Sequence, residues 1–124
     1  MSIAKPLSKN SLAEFLDRFE NFKDAELISI NVSNPLELTL SFKLQDKLRD
    51  FDWIALDLTF FGIKDAILPD DKRIKAIDLS EGVSILEHNG HFAFSLSECD
   101  SIECIQNTHS YIISKSIKTT EKSL

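Results

Sequence analysis

Two consecutive runs, Ile28-Ser29-Ile30-Asn31-Val32 and Leu36-Glu37-Leu38-Thr39-Leu40-Ser41-Phe42-Lys43-Leu44, alternate apolar and polar residues and are joined by Ser33-Asn34-Pro35. Strict alternation puts successive side chains on opposite faces, so these runs predict antiparallel strands with one buried and one wet face. Proline fixes its own φ and keeps Asn34 extended, which makes the tripeptide a turn. On this reading the core side carries Ile28, Ile30, Val32, Leu36, Leu38, Leu40, Phe42 and Leu44. Ser29, Asn31, Glu37, Thr39, Ser41 and Lys43 face water.

The other segments extend the same plan. Ser11-Leu12-Ala13-Glu14 has the spacing of a capping box, and Leu12, Phe15, Leu16, Phe19 and Phe22 follow at helical intervals, predicting one amphipathic helix over about 11–21. Gln45 to Asp52 reads equally as a long hairpin loop or a short helix. Trp53 to Phe61 is a third strand, with Ile54, Leu56, Leu58 and Phe60 inward and Gly62 at its end. Ile74 to Ser80 has weaker strand character. Asn89-Gly90 between Val83–His88 and His91–Leu96 is a two-residue hairpin signal, since a type I′ turn needs positive φ at both positions. Its facing pairs are His88 with His91, Glu87 with Phe92, Ile85 with Phe94 and Val83 with Leu96. Ile102 to Ile105 and Tyr111 to Ile117 supply further strands. Residues 1–10 and 119–124 read as flexible tails. The expected fold is one α+β domain over 1–124, an N-terminal helix packed on a mostly antiparallel six- or seven-stranded meander.

Charge and cysteine usage narrow the partners. The chain has 20 acidic against 14 basic residues, a net charge of −6 that disfavours nucleic acid and anionic membrane and suits a basic protein partner. No membrane-length apolar run or signal-peptide core is present. Cys99 and Cys104, taken as lying on an extended segment, point to opposite faces and read as reduced thiols of a cytoplasmic protein.

Chemistry-bearing motifs are sparse. No phosphate-binding glycine loop and no nucleophile elbow occurs, and Asp50/Asp52 and Asp70-Asp71 lie in expected loops without the apolar setting that separates an acid from a base. His88 and His91 share a face across their turn, but a metal site needs further ligands, and His109, Cys99 and Cys104 are remote in sequence. No cofactor and no enzyme activity are expected. Trp53, Asp57 and Phe61 stand out instead, because aromatic residues beside a carboxylate on the non-core side of a strand have the composition of a protein-binding surface. The competing reading has a later segment folding over this side and making Trp53 and Phe61 core, and it carries slightly more weight.

Phe22-Lys23-Asp24-Ala25-Glu26-Leu27-Ile28-Ser29-Ile30, the Leu-x-Leu strand at Leu36–Phe42 and the Phe61-Gly62 pair resemble a phrase of several small bacterial α+β families, some of them immunity proteins of toxin–immunity systems. Lys23 stands where those families commonly have His. The resemblance implies an immunity or inhibitor protein that neutralises a toxin by direct binding and carries no catalytic residues. Trp53, Asp57 and Phe61, with Asp50 and Asp52 at the rim, are the expected contacts. The alternatives are a homo-oligomeric assembly subunit, joined through the same face or a sheet edge, and a small-ligand or metal-binding domain using His88, His91 and His109.

Overall fold

The computed structural model describes residues 4–124. Its elements are β1 (Lys5–Pro6), α1 (Leu12–Arg18), β2 (Glu26–Asn34), β3 (Glu37–Asp46), β4 (Asp52–Ile67), β5 (Ser84–His88), β6 (His91–Ser95), α2 (Ile102–Gln106) and β7 (Tyr111–Ser123). They form a seven-stranded sheet in the order β2-β3-β4-β7-β6-β5, with β1 added alongside β7. Every pairing is antiparallel. β2, β3 and β4 meander; the chain then crosses to the far edge and returns, so that β7 pairs with β4.

The N-terminal layer covers one sheet face. Leu12, Phe15 and Leu16 of α1 pack on the core, and Phe19 and Phe22 are fully enclosed against it. Phe22 meets Phe42 edge-on, ring centroids 5.1 Å apart. Burying one such ring contributes about 2–3 kcal/mol relative to leaving it in water. The helix is shorter than expected because Asn21 takes a left-handed conformation (φ 57°) within a 3-10 turn over Glu20–Phe22. Ser11 makes no capping bond with its side chain; its hydroxyl instead accepts from the Ser8 amide at 3.0 Å.

The β5–β6 hairpin has the expected register, with His88 opposite His91 and Asn89 and Gly90 at φ 51° and 79°. Several other expectations change. Gly62 does not end its strand: β4 runs on to Ile67, bending where Gly62 (φ 65°) meets Lys115. A Cβ at Gly62 would come within 2.9 Å of the Lys115 Cβ, so glycine allows the two strands to close. At this bend the alternation slips by one residue. Ile112 and Ile117, of opposite parity, both face the main core, while Tyr111 and Ile113 turn to a second cluster under α2.

Ile28, Val32 and Leu36 are not core. A bulge between Leu27 and Ser29 brings Leu27 inward and leaves Ile28 outside, while Val32 and Leu36, 55% and 60% exposed, lie past the end of the packed layer. Ile74 to Ser80 starts as a 3-10 turn, Asp71–Ala76, burying Ile74. Lys47–Arg49 is likewise a 3-10 turn. Ile102 to Ile105 is helix, not strand, because the Ser101 hydroxyl accepts from the Cys104 amide at 3.1 Å and caps α2. That turn also brings Cys99 and Cys104 within 5.6 Å Cα to Cα, where they form a disulfide rather than two free thiols. The last residues are strand and not tail: β7 pairs with β4 as far as Ser123 opposite Ile54. At the N-terminus Lys5 and Pro6 pair with Thr119 and Lys118, Leu7 is buried and Ser8 is hydrogen-bonded to Ser11; residues 1–3 of that expected tail lie outside the described residues.

Candidate functional site

The outer face of the sheet is divided at the Gly62–Lys115 bend. On one side α2 and the disulfide loop cover it, with Ile102 and Cys99 packed around the buried Ile105. On the other side the long halves of β3, β4 and β7 present their outer residues to solvent. Register places Gln45 beside Trp53; Glu26, Lys43, Ala55 and Lys122 in the next row; Ser29, Ser41, Asp57 and Thr120 in the third; Asn31, Thr39, Thr59 and Lys118 in the fourth; and Asn34, Glu37, Phe61 and Ser116 in the fifth, the first-named residue of each of these four rows lying on β2. Rows repeat about every 7 Å along the strands and strands lie about 4.8 Å apart. Trp53 and Phe61 are therefore separated by four rows.

Trp53 is 44% exposed. The competing expectation that a later segment buries it is overturned, because the C-terminal residues join the sheet as a strand beside β4 instead of folding across its face. Asp57 is not isolated: the Lys122 ammonium lies 2.9 Å from its carboxylate. Phe61 is half-buried and partly covered by Lys118, whose ammonium sits 5.2 Å above the ring. Thr39 and Thr59 share a hydrogen bond at 3.0 Å across the middle of the face. Trp53, Asp57 and Phe61 are thus brought onto one open surface. Asp50 and Asp52 are exposed at its end but join it only in part. Asp50 holds a left-handed turn position (φ 55°), and Asp52, by alternation with Trp53, points to the helix-bearing side.

Ending the last strand at Ile117 and taking 119–124 as a tail left Lys118 and Lys122 off this face. Their signal was present, since Ile117, Thr119 and Glu121 alternate with Lys118, Thr120 and Lys122. With β7 in place, the open rows carry Lys43, Lys118 and Lys122 against Glu26, Glu37 and Asp57. The charges of this face balance, where an excess of carboxylates was expected.

At the same end of the sheet, on the opposite side, an ion cluster fastens the helix. The Arg18 guanidinium donates from Nε and one terminal nitrogen to the fully buried Asp46 carboxylate at 2.8 and 2.6 Å, and from its two terminal nitrogens to Glu121 at 3.0 and 2.8 Å. Arg49 joins both acids at 3.2 Å. The hydrogen bonds from Arg18 hold Asp46 and Glu121 below the usual carboxylate range, and Asp46 foremost raises the pKa of Arg18. An open groove of about 540 Å3 lies beside this cluster, lined by Pro6, Leu7, Phe15 and Leu48 with Lys5 and Lys47 at its edge. The groups at its floor are spent on one another, which makes the cluster an anchor for α1.

His88 is exposed and lies 3.0 Å from the Asn89 side-chain amide. Among the described residues, no group of three or more His, Cys, Asp or Glu is placed to hold a metal ion. Nor is any helix there long and apolar enough to cross a membrane. No family model, curated protein or solved structure matches the chain.

Proposed function

We propose that this protein works by binding another protein through the open face of its sheet, as an inhibitor of the immunity type, and not by catalysis. The observation that carries the proposal is Trp53, a large aromatic side chain left 44% exposed on a wide, uncovered face fixed by paired strands. Exposed tryptophans on rigid surfaces are the residues most enriched among binding hot spots. Rows of threonine and serine around it supply hydrogen-bonding groups, and inhibition by such a surface is steric. The immunity class rests further on the small size and on the strand phrase opening at Phe22. For compartment, the free-thiol premise of a cytoplasmic placement is gone, and a Cys99–Cys104 disulfide fits an oxidising compartment better.

The test is capture from the source cell's lysate with wild-type bait and with Trp53→Ala and Thr59→Arg baits. A single protein retained at equal stoichiometry by the wild type and lost with both variants supports the proposal. A partner retained equally by all three baits overturns it. So does a bait that converts a small molecule without any partner.

A further inference from the structure

We infer that the Cys99–Cys104 disulfide is a site of reversible thiol–disulfide exchange, a latch that holds α2 over the outer face of the sheet until a dithiol reductant releases it. The inference is independent of what docks around Trp53. Three observations carry it. First, the covering segment is fastened at its two ends and lightly in between. At one end the Ser84 hydroxyl of β5 donates to the Ser97 carbonyl at 2.8 Å and accepts from the Cys99 amide. At the other the buried Ser95 hydroxyl of β6 donates to the Thr108 hydroxyl at 3.2 Å. Between these anchors α2 has five residues, of which Ile105 alone is buried, and a helix that short does not hold itself. The bridge pins its first turn to the Ser84 anchor, with the two Cα atoms 5.6 Å apart.

Second, the surface under this segment is apolar. Register lines up Leu86, Ala93 and Ile113 across β5, β6 and β7, and Ile105 packs there with Tyr111. Raising α2 bares that row and removes the cover from its side of the Gly62–Lys115 bend. The main core, built around Phe22, Phe42, Phe60 and Phe94, lies on the opposite face and keeps its contacts. Third, Cys99 and Cys104 are both partly exposed, which leaves the bridge within reach of a reductant in solution. The exchange balances with a dithiol as its co-reactant. One thiolate of the dithiol attacks a bridge sulfur, giving a mixed disulfide and releasing the other cysteine. Its second thiolate then displaces the first, so two electrons and two protons pass to Cys99 and Cys104 while the reductant leaves as its own disulfide. By loop-closure entropy, a bridge of this span holds its segment shut about thirtyfold more firmly than two free thiols do.

The test follows amide hydrogen exchange by mass spectrometry in the full oxidised chain, in the same chain with dithiothreitol, and in Cys99→Ser/Cys104→Ser. Exchange over 100–107 should be about thirtyfold faster in the reduced chain and in the double variant, while β3 and the first half of β4 keep their protection. Reoxidation should restore the slow exchange. Reduction of the unmodified chain is the deciding arm, because it alters no side chain other than the two cysteines. The inference is overturned if exchange over 100–107 is the same with and without dithiothreitol. It is equally overturned if the acceleration spreads evenly over β3 and β4, which would make the bridge a staple of the whole fold, or if the chain purified without reductant carries two free thiols.

Discussion

At the scale of single residues, Asp46 and Trp53 occupy the two sides of the same sheet end and make opposite predictions. Asp46 is buried and holds a two-pronged bond with Arg18, so removing its charge leaves a guanidinium half-enclosed with fewer partners. Asp46→Asn should cost about 2–3 kcal/mol in urea unfolding, short of the full penalty for a deeply buried pair because Arg18 retains some solvent. The pH dependence has a definite sign. Folding lowers the pKa of Asp46 and of Glu121, so their contribution is complete above the unfolded values and is lost as pH falls through the folded ones. Stability should decline on acidification from about pH 5 downward, and less steeply in Asp46→Asn than in the wild type. Trp53→Ala, by contrast, removes a ring that is largely in water and should shift the unfolding midpoint by no more than about 1 kcal/mol equivalent. Its emission should be that of a hydrated indole, readily quenched by acrylamide. A blue, unquenched spectrum would show the open face to be covered.

At the scale of elements, α2 is the piece whose attachment is most concentrated. It has only five residues, too few for a helix stable by itself, and it is held by the Ser101 cap, the burial of Ile105 and the Cys99–Cys104 bridge. Reduction of so short a loop should cost about 2 kcal/mol. Amide exchange should accelerate first over residues 102–106, and mass spectrometry after alkylation without reductant should find no reactive thiol. This element also shows where the sequence was legible. Strong alternation read β3, the first half of β4 and the β5–β6 hairpin correctly, because burial on one face imposes a period of two that no local choice disturbs. Ile102 to Ile105 misled because four residues carry no resolvable period, and a serine cap decided the outcome. The slips at Leu27–Ser29 and at Gly62–Lys115 were invisible for another reason: each depends on a partner strand distant in sequence. The candidate site was legible only along β4. Two of the three lysines that balance its acids, Lys118 and Lys122, come from β7, whose pairing no local pattern specified.

At the scale of the molecule, residues 76–114 hold six carboxylates and no Lys or Arg while the rest of the chain has fourteen charges of each sign, which gives a protein with neutral and acidic portions inside one sheet. Its acidic end is tied in place by the disulfide and by the hydrogen bonds of the Ser84 hydroxyl to Ser97 and Cys99. Reversing charge should therefore have effects that depend on position and not merely on number. Glu98→Lys/Glu103→Lys should elute from an anion exchanger at distinctly lower salt than Glu14→Lys/Asp17→Lys, although both variants change net charge equally. Identical elution would mean that the resin responds only to total charge. If the positions differ, the protein will settle on any positively charged support with one end down, presenting Trp53 and its lysines to the solution. The uneven placement of its carboxylates would then serve as a built-in handle for oriented immobilisation, with no tag required.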